Sequence, residues 1–183
     1  MRVALRRLRS ALNVFSSNIN HDSCKNIIQD LCWITNILGN ARDLDVFIHQ
    51  TLPPLLSAMP TQIGLVKIET KARTQRELAY KAARSAIHSA RYQRLILFIA
   101  DWLENERWLL ETLPMQLSIF YLANTVLTER DEKLKKNGKK LSKMTAEKRH
   151  KMRIAAKKLR YAAEFFASLY KTKSSTQFIY KLA

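Results

Sequence analysis

Apolar residues recur at three- and four-residue spacing along most of the chain, the period of an amphipathic helix. Met1 to about Ser17 predicts a first helix, with Met1, Leu5, Leu8, Leu12 and Phe15 in one apolar arc. A second runs through Ile27, Ile28, Leu31, Ile34, Ile37 and Leu38, with Asp22 or Ser23 as its expected N-cap. Its downstream part reads LGNARDLDVFI, Leu38 to Ile48, with Gly39 as a weak point or kink. Pro53, Pro54 and Pro60 mark the next connection. Thr61 to about Ala90 predicts a long basic helix, and Arg91 to about Trp108 another, with Leu95, Phe98, Ile99, Trp102 and Leu103 inside. Pro114 fits the start of a helix continuing towards Lys135, and Asn137-Gly138 breaks it. Thr145 to Tyr170 is the last long helix, with Thr145 and Lys148 in place of a full capping box. The final ten residues start one more.

Composition agrees with an all-α fold. Only 3 Gly and 4 Pro interrupt a chain rich in Ala, Leu, Lys and Arg. At 183 residues it suffices for one large or two small domains. No apolar run approaches the roughly 20 residues that span a bilayer, so no membrane partner is expected. Cys24 and Cys32 lie in one helical segment. A helix would hold them about 12 Å apart, beyond disulfide reach. A reducing, cytoplasmic location fits two free thiols.

Charge changes the picture more. The net charge is +17, and it is unevenly spread. Residues 1–20 carry four arginines and no acid, and residues 131–160 carry thirteen cations against three acids. Such clustering costs self-repulsion unless an anion relieves it. The alternative is a basic surface that only aids solubility. The Arg-rich start also has the look of a mitochondrial presequence, but a disposable leader has no reason to match an internal segment.

That match is the most informative feature of the chain. MRVALRRLRSALNVF (Met1 to Phe15) returns as MRIAAKKLRYAAEFF (Met152 to Phe166). Met1/Met152, Arg2/Arg153, Ala4/Ala155, Leu8/Leu159, Arg9/Arg160, Ala11/Ala162 and Phe15/Phe166 are identical. Val3/Ile154, Arg6/Lys157 and Arg7/Lys158 exchange like for like. Core pattern and charge pattern repeat together, which predicts a duplicated helix with the same cationic face. On a helical wheel Arg2, Arg6, Arg9 and Asn13 fall within an arc of about 60° beside the apolar stripe. Arg153, Lys157, Arg160 and Glu164 take the same phase next to Met152, Ala156, Leu159, Ala163 and Phe166. Arg7 and Lys158 lie on the other side. An ordinary amphipathic helix with its charges in water would explain one copy; it does not explain three cations repeated in phase.

Arg brings a planar fork of donors and Lys a compact charge, and both suit phosphate. A linear phosphate chain offers only repeated charge, which stacked cations on facing helices would fit. His150 stands about one turn before Arg153 and two before Lys157, at the mouth of the ridge, with a capping or surface role as the alternative. Arg42 joins the candidates, with Asp43 or Asp45 holding cations in place; a surface ion pair is the competing reading. Arg73, Arg76, Arg84, Arg91 and Arg94 are less regular in phase and rank lower. The Lys133–Lys151 run reads as a solvated loop of general electrostatic effect. His21, His49 and His88 are scattered, so no metal site or cofactor is expected. There is no P-loop and no carboxylate cluster for phosphoryl transfer, so no enzyme is expected. A helical nucleic-acid binder is the alternative on charge, without a zinc-finger, RNA-recognition or convincing helix-turn-helix signature.

The segments MRVALRRLRSALNVF, LGNARDLDVFI, SARYQRLILFIADWLENERW and HKMRIAAKKLRYAAEFFASLY resemble the CHAD family, the conserved histidine α-helical domain. The last is the most specific and the third is loose; together they cover essentially the whole chain. The resemblance implies helical bundle repeats related by internal pseudo-symmetry, with a basic cleft between them. Here the first bundle would span about 1–110 and an incomplete second about 111–183. It implies non-catalytic binding of inorganic polyphosphate, location at polyphosphate granules, and association with a triphosphatase or another protein of polyphosphate metabolism. By the motif, the binding residues fall on His150, Arg153, Lys157, Lys158 and Arg160, and on Arg2, Arg6, Arg7, Arg9 and Arg42. The histidine ahead of the first copy and the acidic partner helix of the second are missing, so a shortened domain is expected.

Overall fold

Asn20 starts the longest of the described helices. Its Oδ1 accepts from the backbone N–H groups of Asp22 at 3.1 Å and Ser23 at 3.2 Å. The N-cap is therefore Asn20, not Asp22 or Ser23 as the sequence suggested. Asp22 lies in the first turn, where a negative charge suits the helix dipole. Ser23 has a packing role: its Oγ accepts from Trp102 Nε1 at 2.9 Å.

The computed structural model describes residues 1–16, 19–107, 118–138, 144–170 and 173–182. Among these residues the regular structure is helical. The order is α1 (Arg2–Val14), α2 (His21–Val46), a π turn (Phe47–Thr51), α3 (Leu52–Ala58), α4 (Ile63–Ile87), α5 (Ala90–Glu104), α6 (Ile119–Gly138), α7 (Ala146–Phe165), a 3-10 turn (Ala167–Leu169) and α8 (Lys173–Lys181). The chain divides into two compact units: Met1–Arg6 with Asn20–Trp108, and Arg7–Ile19 with Leu109–Ala183.

In the first unit α2 packs on α4 and α5. Cys24, Ile27, Leu31 and Ile34, spaced three and four apart, are sealed from solvent. Buried Thr35 satisfies its hydroxyl by donating to the Leu31 carbonyl at 2.6 Å. Gly39 does not end α2, which runs unbroken to Val46. Pro53 and Pro54 begin α3 rather than interrupt the chain, since the first helical turn needs no N–H donor there. Pro60 stays in the turn before α4.

In the second unit Val14, Ala123, Val126, Ala162 and Phe166 form the core, with Phe15, Leu122 and Leu169 packed against it. Tyr170 Oη donates to Asn124 Oδ1 at 2.7 Å, joining the end of α7 to α6. Thr145 caps α7 as expected, its Oγ1 accepting from Lys148 N at 3.3 Å. Asn137 and Gly138 are the last turn of α6. Pro114 and Trp108 lie outside the described residues.

The apolar stripe of the repeated pattern is only partly buried. Leu5, Leu12, Leu159, Ala163 and Phe166 are buried, whereas Met1 is 53% exposed. Leu8, Met152 and Ala156 are half-buried.

Candidate functional site

Each copy of the repeated pattern forms one helix, and its cations align along that helix. On α1, Arg2, Arg6 and Arg9 stand at i, i+4 and i+7 and all are half-buried. The row is about 10 Å long by helical rise. Arg7 is exposed on another face. On α7, His150, Arg153, Lys157 and Arg160 follow at spacings of three, four and three, a row of about 15 Å. His150, Arg153 and Lys158 are exposed, while Lys157 and Arg160 are half-buried. Among the half-buried members, Arg6 and Arg160 have buried guanidinium Nε atoms.

Two cations of these rows face carboxylates at long range. Arg2 Nη1 lies 3.7 Å from Asp43 Oδ1, and that carboxylate is 80% exposed, so the pair is weak. Arg160 Nε is 3.5 Å from Glu164 Oε1, beyond a good hydrogen bond, and the guanidinium lies 5.1 Å from the centre of the Tyr161 ring. Like charges four apart on a helix cost a few tenths of a kcal/mol each. Arg2/Arg6 and Arg153/Lys157 both accept that cost.

Arg42 is exposed on α2, next to Asp43. Asp45 has a structural task. It accepts from Arg76 Nε at 2.6 Å and from Tyr80 Oη at 2.7 Å. The Tyr80 phenol, then the Arg76 guanidinium, hold its carboxyl below the usual range. Much of the irregular α4–α5 basic run is similarly engaged. Arg73 pairs with Glu69 at 2.6 Å and Arg91 with Asp30 at 2.7 Å. Arg91 also lies over Trp33, 4.3 Å from the ring centre.

Arg130 escaped the sequence reading. Its Nη1 donates to the Lys158 carbonyl at 2.9 Å, and its Nη2 to Asn13 Oδ1 at 3.2 Å and the Asn13 carbonyl at 3.4 Å. None of these acceptors is a carboxylate. Burial pulls its pKa down from the ordinary arginine value. The lysine run also differs from expectation. Lys133 and Lys136 on α6, and Lys148 and Lys151 on α7, line one groove of about 1020 Å³ together with Arg130 and Lys158. Residues 139–143 of that run lie outside the described residues.

Among the described residues no group of three or more His, Cys, Asp or Glu is placed to hold a metal ion. No described helix is long and apolar enough to cross a membrane.

The CHAD domain family matches residues 1–183. The chain belongs to the CHAD domain family. A solved CHAD domain from the plant Ricinus communis is similar over 100% of this chain and 59% of its own, at 30% identity and a TM-score of 0.80. PptA from Streptomyces chartreusis has a similar fold over 89% of this chain and 62% of its own, at 17% identity and a TM-score of 0.68. The chain thus spans about three fifths of each solved relative. None of the curated proteins compared with it matches. In this CHAD domain the segment that most specifically carried the resemblance, His150 to Tyr170, is α7 with its 3-10 extension.

Proposed function

We propose that this CHAD domain binds inorganic polyphosphate without chemically altering it. The observation that carries the reading is the pair of cationic rows on α1 and α7, each three cations long at matching helical phase. Arg2, Arg6, Arg9, Arg153, Lys157 and Arg160 would make charge-assisted hydrogen bonds to successive phosphates. His150 would donate at the start of the α7 row, and Arg7, Arg42 and Lys158 would add further contacts. The duplicated-bundle organisation, with a second bundle from about residue 111, belongs to the same proposal. So do residence at polyphosphate granules in the cytoplasm and association with a triphosphatase or another protein of polyphosphate metabolism.

Every cation engaged releases counterions, so affinity should fall steeply with salt. A competition titration separates this reading from a nucleic-acid binder of equal charge. Long-chain polyphosphate should resist displacement by duplex DNA or RNA at equal charge concentration and fixed salt. Displacement by either at comparable concentration would show a diffuse basic surface and reverse the assignment. Release of orthophosphate from polyphosphate by the pure protein with magnesium would overturn the non-catalytic part.

A further inference from the structure

The α6–α7 groove carries six cations and no carboxylate among the residues that line it. It is also not purely polar. Met144, Met152, Ile154 and Ala155 also line it, interleaved with the lysines of α7, and Asn13 and Asn137 add carboxamides. Gly138 ends α6 where a side chain would meet Met152: a Cβ built there would lie 3.0 Å from the Met152 methyl. The missing side chain leaves the thioether room beside the end of α6. Arg130 is fixed at the groove by the carbonyls of Asn13 and Lys158 and brings a charge to which, among the described residues, only the neighbouring Glu129 carboxylate responds.

A bare phosphate chain gains nothing from an apolar wall. A ligand that uses the whole groove needs several phosphates together with a flat, weakly polar body. Methionine suits an aromatic ring, with sulfur–ring contacts worth about 0.3–1.5 kcal/mol. Carboxamides can pair with the donor and acceptor edge of a base. The volume is at the upper end of the roughly 300–1,000 Å³ typical of small-molecule sites.

The geometry points to a nucleoside polyphosphate site in this groove, separate from the α1 and α7 rows. The phosphates lie among Arg130, Lys133 and Lys136 on the α6 wall, with Lys148 reaching them across the groove, and the base lies on Met144 and Met152. The inference does not depend on the polyphosphate reading, and either can fail alone.

The test is calorimetric titration of the protein with ATP, GTP and tripolyphosphate, without magnesium and at one ionic strength. At least one nucleotide should bind ten-fold or more tighter than tripolyphosphate. The triple variant K133A/K136A/K148A should lose at least ten-fold in nucleotide affinity. The variant R153A/K157A/R160A should lose less than three-fold. Met144→Ser should weaken the nucleotide and leave tripolyphosphate unchanged. Circular dichroism confirms that each variant is folded. Tripolyphosphate binding as tightly as both nucleotides to R153A/K157A/R160A, which lacks the α7 row, or equal nucleotide losses in the two triple variants, would overturn the site.

Discussion

Phe15 and Phe166, equivalent positions in the two copies of the repeated pattern, meet edge to face with ring centres 5.9 Å apart and planes at 72°. The end of α1 is thereby fastened to the end of α7 within the second unit. Phe166 is 2% exposed, and Phe15 is half-buried. Phe166→Ala should cost about 3–5 kcal/mol, the usual range for emptying a buried aromatic site. Phe15→Ala should cost less. A double-mutant cycle should return a coupling of about 0.5–1.5 kcal/mol, as expected for an aromatic pair in this geometry. Additive losses in urea unfolding would mean that the rings merely lie near one another.

Asp45 makes the first unit sensitive to acid. Its carboxyl is held below the usual range by Tyr80 and Arg76. A depressed folded-state pKa contributes stability above the unfolded value, roughly 3.9, and loses it as pH falls further. The unfolding free energy of the native chain should therefore drop more between pH 5 and pH 2.5 than that of Asp45→Asn. At pH 7 the variant should be weaker by about 1–2 kcal/mol, below the full value of charged hydrogen bonds because Arg76 is 37% exposed. Parallel pH curves for the two proteins would remove Asp45 from the acid response.

The end of α5 stores a small strain. Arg107 N–H donates to the Trp102 carbonyl and Glu106 N–H to the Leu103 carbonyl, the paired bonds of a Schellman ending. The residue at its left-handed position is Glu106, with φ 51. An L side chain there costs about 1–2 kcal/mol, and glycine avoids this at some cost in chain entropy. Glu106→Gly should stabilise the protein by about 0.5–1 kcal/mol, read as a higher urea midpoint with unchanged slope. A lower midpoint would contradict the assigned ending.

The helices were legible because the 3.6-residue period persists through every long segment, as the sealed Ile27, Leu31 and Ile34 show. The cap of α2 was not, because Asn20, Asp22 and Ser23 are all good caps and only the backbone path selects one. The cationic rows of α1 and α7 could be drawn from spacing alone. The role of Arg76 could not, since Asp45 is thirty-one residues away and on another helix. Arg130 left no signal at all: two of its three acceptors are backbone carbonyls, which any residue supplies. The lysine groove required the register of α6 against α7, which a charge run does not encode.

In the proposed function aligned cations, rather than total charge, hold polyphosphate. Two variants test it side by side. One replaces Arg2, Arg6, Lys157 and Arg160 with Ala; the other replaces four lysines between Lys133 and Lys143. Both remove four charges, so long-range attraction falls equally. Binding of long-chain polyphosphate is titrated at one fixed salt concentration, with helicity checked by circular dichroism. The first variant should lose binding while remaining helical, and the second should lose far less. Equal losses in the two would contradict a built site and leave only diffuse charge.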